Sequence, residues 1–379
     1  MKAKLVTRNT ASRFLALALI AILPGCGGSG TLALPPPASA AEFVLAVNLA
    51  TGASNLSVEK IDPTTGALTP VAGSPFGGVT SPSSVAVEPS TKFAYVTNFS
   101  DNTISAYGIN STTGALTPIA GSPFAAAGNP VMIATEASGK YVYTANQSSA
   151  DVSGFAINSS TGTLAALPGS PYSSGPAPVA IVVDHVGRFV YVANSAAPSI
   201  SVFSISPGTG DLTPVPGSPF AADFFPRGFA IDPHDKFLYV GIASSFMGDS
   251  TEVMAFSIGS SGTLTPVAGS PFTAARNPVS LAVDSSGKFL YVGNSQDNSL
   301  SAFSINSSGA LSPIGGSPYP LSGFPLSAVT DASGKFLYLG GAGIFGFSID
   351  AASGALIQVP GSPVPAGSNI FSLTTVEPK

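Results

Sequence analysis

The feature that most constrains this chain is a short motif, Gly-Ser-Pro, which occurs seven times at nearly constant spacing. The glycines of the seven copies are Gly73, Gly121, Gly169, Gly217, Gly269, Gly316 and Gly361, with steps of 48, 48, 48, 52, 47 and 45 residues. Each unit holds four short apolar segments, which in the unit from Asn277 read VSLAV, FLYVGN, LSAFSI and ALSPI. Clusters of Ser, Gly and Asn separate them, as tight hairpins require. Four strands in a repeat of this length predict an all-β fold, a seven-bladed β-propeller of four-stranded antiparallel blades.

The composition fits blades that pack face to face. Hydrophobic residues make up 44% of the 379 residues and charged residues only 9%. Inner strands buried on both faces read as continuous apolar runs instead of alternating ones. Beyond the first 25 residues, no apolar run approaches the ~20 residues that a membrane-spanning helix needs.

The two ends of the repeat region predict a closed ring. The first unit begins at Phe43 with the second-strand pattern and lacks an innermost strand, whereas the C-terminal NIFSLTTVEP (369–378) matches the innermost-strand pattern. We expect the tail to complete the first blade, which removes the exposed faces of an open stack. Residues 42–379 then form one domain. We also expect Gly-Ser-Pro to end the outermost strand of each blade, where an edge position tolerates proline.

The first 41 residues predict export and lipid anchoring. Four basic residues precede the ten-residue apolar run FLALALIAIL, a length typical of a secretory signal, so residues 1–25 are predicted to be a signal peptide. The following LPGC resembles the lipobox of bacterial lipoproteins, which implies that Cys26 is lipidated and that the protein is anchored in the cell envelope. Gly27, where the usual sorting rule would need Asp for inner-membrane retention, favours the outer membrane. An ordinary signal peptide with a chance cysteine is the alternative. Residues 26–41, rich in Gly, Pro and Ala, are predicted to be a flexible tether.

Charge and residue spacing exclude several classes of function. Without the four basic residues of the signal, the chain has 10 basic and 19 acidic residues, a net charge of −9 that disfavours nucleic-acid binding. Its single cysteine permits no internal disulfide. The Asp232-Pro-His-Asp segment could form a weak metal site with His234, but turn formation explains it more simply. His185 is likewise interpreted as a solvated turn residue, and we predict neither a metal nor a cofactor.

The second-strand motifs YVTN (95–98), YVAN (191–194) and YVGN (291–294) resemble the YVTN-type repeat. The seven-unit region as a whole resembles the lactonase-type propellers, a family that includes 6-phosphogluconolactonases and cycloisomerases. The resemblance implies a Pro-Arg-His run in active enzymes, and here FPRG keeps Arg227 but has Gly228 in place of the histidine. The family's Asn-Glu pair falls on Ile242 and Ala243.

Two more family positions are replaced. A second family histidine falls on Val179, and a further family arginine falls on Ser295. Lactone hydrolysis needs a group that activates water and a group that stabilises the oxyanion. Because neither histidine is kept, we expect no lactonase activity of that type.

Two arginines stand outside the repeated pattern and give the candidate ligand site. Arg227 and Arg276 precede innermost strands of consecutive blades, in loops that should converge on the mouth of the central channel, and guanidinium groups there would attract a carboxylate or phosphate. The same loops contribute Asp223 and Asn277, and the long loop of the fifth unit adds Phe246 near Phe224 and Phe225. The alternative is that each arginine only stabilises its loop by pairing with Asp223 or a carbonyl group.

We therefore predict a monomeric, membrane-anchored propeller that binds an envelope protein or a small anionic ligand without turning it over. One alternative is a lactonase-like hydrolase with a rearranged active site. The other is a structural scaffold of the cell envelope.

Overall fold

The structure is a computed structural model that describes residues 41–48, 55–222, 224–243, 250–367 and 369–377. These residues form strands joined by turns, and among them no helix is long and apolar enough to span a membrane. The predicted signal peptide (1–25), nearly all of the predicted tether (26–41) and Cys26 lie outside the described residues.

The strands group into seven antiparallel sheets that follow one another along the chain. Blades 1 and 2 are formed by β1 (Glu42–Asn48), β2 (Asn55–Ile61), β3 (Leu68–Pro70), β4 (Pro82–Val87), β5 (Phe93–Asn98), β6 (Thr103–Ile109), β7 (Leu116–Pro118) and β8 (Phe124–Ala125). Blades 3 and 4 are formed by β9 (Pro130–Thr135), β10 (Tyr141–Asn146), β11 (Asp151–Ile157), β12 (Leu164–Ala166), β13 (Tyr172–Ser173), β14 (Pro178–Val183), β15 (Phe189–Asn194), β16 (Ser199–Ile205), β17 (Leu212–Pro214) and β18 (Phe220–Ala221).

The remaining blades repeat this order. Blades 5 and 6 are formed by β19 (Phe225–Ile231), β20 (Phe237–Ala243), β21 (Glu252–Ile258), β22 (Leu264–Pro266), β23 (Phe272–Thr273), β24 (Pro278–Val283), β25 (Phe289–Asn294), β26 (Ser299–Ile305), β27 (Leu311–Pro313) and β28 (Tyr319–Pro320). Blade 7 and the C-terminus are formed by β29 (Ser327–Thr330), β30 (Phe336–Gly340), β31 (Ile344–Ile349), β32 (Leu356–Gln358) and β33 (Ile370–Val376).

The Gly-Ser-Pro motif forms a turn beyond the outermost strand, so its predicted position at the end of that strand is wrong. In blade 2, β7 ends at Pro118, and the motif leads into β8, which returns to pair with β6. In this turn, Ser122 Oγ accepts a hydrogen bond from the backbone N–H of Ala106 at 2.9 Å. Every blade has the same hydrogen bond, at 2.7–3.0 Å. The accepting serines are Ser74, Ser122, Ser170, Ser218, Ser270, Ser317 and Ser362. The serine thus satisfies a third-strand amide that the short outer strand leaves unpaired.

The predicted ring closure is confirmed. Strand β33 pairs antiparallel with β1, in a register that places Leu45 opposite Thr374, and blade 1 has the strand order β3-β2-β1-β33. The seven inner strands contact one another in a closed circle, since β29 contacts β33 and β33 contacts β4. The first blade is therefore built from both ends of the repeat region.

The core lies between neighbouring blades and explains the repeated second-strand tyrosine. Tyr95 is fully buried, and its hydroxyl donates to the carbonyl oxygen of Gly162 in the next blade at 2.9 Å. The hydroxyl of Tyr338 in blade 7 likewise donates to the carbonyl oxygen of Gly66 in blade 1, at 2.9 Å. Equivalent bonds, at 2.7–3.1 Å, come from Tyr143, Tyr239 and Tyr291. Each such tyrosine therefore combines apolar burial with a directional bond between blades.

A candidate anion-binding site in the axial cavity

The seven inner strands (β4, β9, β14, β19, β24, β29 and β33) surround a cavity of about 770 Å³ on the axis of the ring. The cavity lies within the ~300–1,000 Å³ typical of small-molecule sites. Every blade contributes side chains to its wall, so a bound molecule would contact residues that are far apart in sequence.

A β-bulge near the start of the inner strands selects which residue faces the cavity. In blade 5, Pro226 pairs with Ile242 and Gly228 pairs with Gly241, so Arg227 is the extra residue of the bulge. Five other inner strands have the same irregularity, and in blade 7 the equivalent residue directly precedes β29. We call the seven cavity-lining residues at this position the bulge ring: Ser83, Val131, Val179, Arg227, Val279, Leu326 and Phe371. A bulge commonly re-aims a side chain in this way.

Arg227 is the charged residue of this wall. It is half-buried and lines the cavity, and no described residue forms a hydrogen bond or ion pair with its side chain. Burial lowers the pKa of the Arg227 guanidinium from its ordinary value, although an arginine stays protonated in proteins. Among the described lining residues it is the only acidic or basic side chain. The wall therefore presents one positive charge without a compensating carboxylate.

Gly228, the next residue, allows blades 5 and 6 to approach closely. A Cβ atom at Gly228 would overlap the carbonyl oxygen of Val279 and would lie 3.0 Å from Leu281 Cδ1. A Cβ at Gly241, the cross-strand partner of Gly228, would lie 2.6 Å from the carbonyl oxygen of Pro278. The position at which the family resemblance implies a histidine thus has no room for a side chain unless β24 moves.

The structure does not bring Arg276 to the cavity wall with Arg227. Arg276 is exposed, and its Nε donates to Asp297 Oδ1 at 2.6 Å while its backbone N–H donates to Oδ2 at 2.8 Å. The pKa of Asp297 is lowered by that backbone bond and, to a smaller extent, by the guanidinium. Arg276 is thus part of a surface ion pair that anchors its own loop.

The other predicted site residues also have structural contacts or lie outside the described chain. Asn277 has a positive φ of 60°; its amide donates to Ser295 Oγ at 2.7 Å, and it does not line the cavity. Asp223 and Phe246 lie outside the described residues. Phe224 has a φ of 56° and is 61% exposed. Positive φ is rare for so bulky a residue, and such strain is often found at functional sites.

The two histidines lie on hairpins between first and second strands, as predicted, and neither lines the cavity. His185 Nδ1 lies 2.8 Å from Asp235 Oδ1, and His234 Nδ1 lies 3.5 Å from Asp232 Oδ2. Within the described ranges, no group of three or more His, Cys, Asp or Glu residues is arranged to hold a metal ion.

Sequence reasoning missed Phe371 as a site residue. It belongs to the closing strand β33, occupies the bulge-ring position and is 42% exposed on the cavity wall. Alignment of the innermost segments on the proline that precedes the bulge-ring residue in six of them could have found it, because that alignment places both Arg227 and Phe371 in the ring.

The fold and this cavity define the class of protein: a seven-bladed propeller with a ligand-sized axial site. The lactonase model, described as a seven-bladed β-propeller, matches residues 53–180, 163–268 and 250–369. The chain therefore belongs to the lactonase family of seven-bladed β-propellers. None of the curated proteins that were compared matches it.

Solved structures show the same fold at low identity. A putative 6-phosphogluconolactonase from Bacteroides fragilis has a TM-score of 0.77 and 20% identity, covering 91% of this chain and all of that one. A periplasmic gluconolactonase from Pseudomonas aeruginosa has a TM-score of 0.72 and 18% identity, over 89% and 99% of the two chains. Kuenenia stuttgartiensis hydrazine synthase has a TM-score of 0.56 and 16% identity, over 89% and 99%. Since proteins with such different names share the architecture, the likeness establishes the fold and leaves the activity to the site.

Proposed function

We propose that this protein binds a small anionic ligand in the axial cavity and does not hydrolyse it. The observation that carries the proposal is the half-buried Arg227 guanidinium, which faces the cavity without a partner among the described residues. A buried charge without a counterion is costly, and a carboxylate or phosphate from a ligand would supply two hydrogen-bond acceptors in the geometry of the guanidinium fork.

The chemistry of the wall argues against hydrolysis. The described lining residues include no His, Asp, Glu, Lys, Tyr or Cys that could act as a general base, and the serines and threonines of the wall would need such a base to become nucleophiles. Gly228 leaves no space for the histidine implied by the family resemblance. Arg227 alone could stabilise an oxyanion, but it would not activate a water molecule.

A lactonase activity is the second candidate, and membership of the lactonase family favours it. Two solved relatives carry gluconolactonase names, although their 18–20% identity supports only the fold. This candidate requires a general base from residues other than the described wall.

Binding and hydrolysis are measured on the same preparation of the full chain. A panel of carboxylates and phosphates is tested by thermal shift and calorimetry, and 6-phosphogluconolactone hydrolysis is followed in parallel. We expect at least one anion to raise the melting temperature, and Arg227→Gln to abolish that shift. The matched control is Arg276→Gln, which removes an arginine from the surface pair with Asp297 and should leave binding unchanged.

Two results would contradict this proposal. If no anion binds, or if binding survives Arg227→Gln, the cavity is not an anion site. Hydrolysis of 6-phosphogluconolactone that is lost in Arg227→Gln and kept in Arg276→Gln would instead establish the lactonase.

The cellular setting is a separate part of the proposal. We infer from the apolar run, LPGC and the following tether that the protein is exported and held in the cell envelope by lipid on Cys26. An anion site in such a protein would act on extracytoplasmic solutes.

A further inference from the structure

The bulge ring combines a single positive charge with a largely apolar surface. Beside Arg227, five of its positions are apolar: Val131, Val179, Val279, Leu326 and Phe371. The seventh is Ser83, whose Oγ donates to the Pro130 carbonyl at 2.9 Å and lies 2.8 Å from Thr97 Oγ1. The hydroxyl at this level is therefore already engaged within the protein.

Three of the four serines one position further along the inner strands are also engaged, whereas the fourth, Ser280, is buried and its Oγ has no hydrogen-bond partner among the described residues. Ser84 Oγ accepts the backbone N–H of Ile133 at 3.4 Å, and Ser327 Oγ accepts that of Leu373 at 3.0 Å. Ser372 Oγ accepts the N–H of Val85 at 3.2 Å. These hydroxyls join neighbouring inner strands, and a ligand rich in hydroxyl groups would find few free partners around this level of the cavity.

Arg227 and Phe371 lie on opposite sides of the ring. Arg227 belongs to blade 5 and Phe371 to blade 1, three blades apart, which is the largest separation in a ring of seven. Phe371 leaves 42% of its surface uncovered on the wall of an otherwise packed protein. A molecule whose anionic group is bound to Arg227 would extend its body across the cavity toward the phenyl ring of Phe371.

From this arrangement we propose that the axial cavity selects a monocarboxylate with an apolar aliphatic or aromatic body. The proposal rests on the anion site proposed above and adds the class of ligand. A single guanidinium neutralises one carboxylate, so a second anionic group would enter the described wall without a partner. At the level of the bulge ring, a sugar acid would exchange its bonds with water for a largely apolar surface, whereas a hydrocarbon body would gain from the same exchange.

Four six-carbon probes test these two requirements one at a time. Hexanoate has one carboxylate and an apolar chain, and gluconate has the same carboxylate with five hydroxyl groups. Adipate adds a second carboxylate, and hexanamide removes the charge. Affinities for the full chain are measured by calorimetry, with 3-phenylpropionate as an aromatic monocarboxylate and 6-phosphogluconate as the sugar-phosphate comparison.

We expect hexanoate and 3-phenylpropionate to bind at least tenfold more tightly than gluconate, adipate, 6-phosphogluconate or hexanamide. Arg227→Gln should remove the preference for hexanoate over hexanamide. Phe371→Ser should weaken 3-phenylpropionate at least threefold and leave gluconate unchanged. Ile357→Ser, at an exposed apolar residue of β32 that does not line the cavity, is the matched control and should change none of these affinities.

The outcomes separate this inference from the function on which it rests. If gluconate or 6-phosphogluconate binds as tightly as hexanoate and depends on Arg227, the anion site stands and the apolar selectivity is wrong. If Phe371→Ser leaves all affinities unchanged, the role of the aromatic wall is wrong. If no probe binds, or none depends on Arg227, both proposals fail together.

Discussion

Glu59 places a carboxylate at a position where the other six blades have a buried aromatic ring. It lies in β2 opposite Val44, and the equivalent third-strand residues are Tyr107, Phe155, Phe203, Phe256, Phe303 and Phe347. Because side chains alternate along a strand, Glu59 lies on the same face of β2 as Ser57 and Ile61. Ser57 donates to the Ala366 carbonyl at 2.7 Å, and Ile61 packs in a cluster with Tyr338 of blade 7. Glu59 is therefore buried where the first and last blades meet.

This burial predicts a pH-dependent stability. Glu59 is 3% exposed, its Oε2 has no hydrogen-bond partner in the described structure, and desolvation raises its pKa from 4.5 to about 7. Below pH 4.5 the Glu59 carboxyl group is protonated in both the folded and the unfolded state, so it does not lower the stability there. Between pH 4.5 and 7 the unfolded chain releases this proton while the folded state keeps it, and above pH 7 the folded state carries a buried charge; the total loss of stability is about 3 kcal/mol. Stability should therefore fall between pH 4.5 and 7 and change little above that from this group.

Glu59→Gln removes the ionisation and keeps the shape. We expect equal stability of variant and wild type near pH 4.5, and a variant that is about 3 kcal/mol more stable at pH 8. In a domain of this size that difference corresponds to a melting temperature higher by ~5 °C. Urea denaturation and thermal melts at both pH values measure it. Asp101→Asn makes the same change of charge at an exposed site and serves as the control.

The test is whether the difference in stability between Glu59→Gln and the wild type depends on pH. If Glu59→Gln and wild type differ by the same amount at pH 4.5 and pH 8, Glu59 does not carry the buried charge that this reasoning requires. An equal pH-dependent gain in Asp101→Asn would assign the effect to net charge instead.

Other substitutions test the backbone of Phe224, the contact between blades 5 and 6, and the anchor. Phe224→Asn should stabilise the protein by about 1 kcal/mol, seen as a higher melting temperature, because Asn tolerates the left-handed backbone that Phe224 adopts; an unchanged or lower value would show that Phe224 is not strained. Gly228→Ala should destabilise by about 1–3 kcal/mol in urea denaturation, because its Cβ overlaps the Val279 carbonyl oxygen, and a neutral result would mean that blade 6 shifts freely. Cys26→Ser should move the protein from the membrane fraction to the soluble one and abolish labelling with a radioactive fatty acid; unchanged fractionation would contradict the lipid anchor.

The sequence was sufficient for the ring because the same physical requirements are repeated seven times. Each blade needs its turns and its apolar second strand, and six of the seven blades have a tyrosine at the same position of that strand, so the period, the number of blades and the closure by 369–378 could be read directly. The hairpin carboxylates were missed, although they follow a regular pattern: Glu88, for example, is buried and its Oε1 accepts the backbone N–H groups of Lys92 and Phe93. An acidic residue before a turn looks solvated in sequence, and only the structure shows that backbone donors surround it.

The candidate site could be predicted only in part, because its geometry depends on one extra residue in each inner strand. Arg227 stood out because it departs from the repeat, and Arg276 stood out for the same reason. Sequence cannot distinguish the two, since the bulge turns residue 227 toward the axis, whereas residue 276 lies in the preceding loop, where Asp297 binds it. Phe371 was missed because the aligned sequence does not show that the same bulge turns this residue of the closing strand toward the axis.

The bulge explains why membership of the lactonase family does not determine the activity of this protein. The residues that identify the family are those of the second strands, which pack blades together and are buried. The bulge ring adds one side chain per blade outside that packing, so its composition can change without disturbing the tyrosine bonds between blades or the serine turns. Here it holds one cation and five apolar residues, and the neighbouring Gly228 is required by the contact between blades 5 and 6. A histidine could return to position 228 only together with a displacement of β24, so recovery of the implied lactonase chemistry would need coupled changes in two blades.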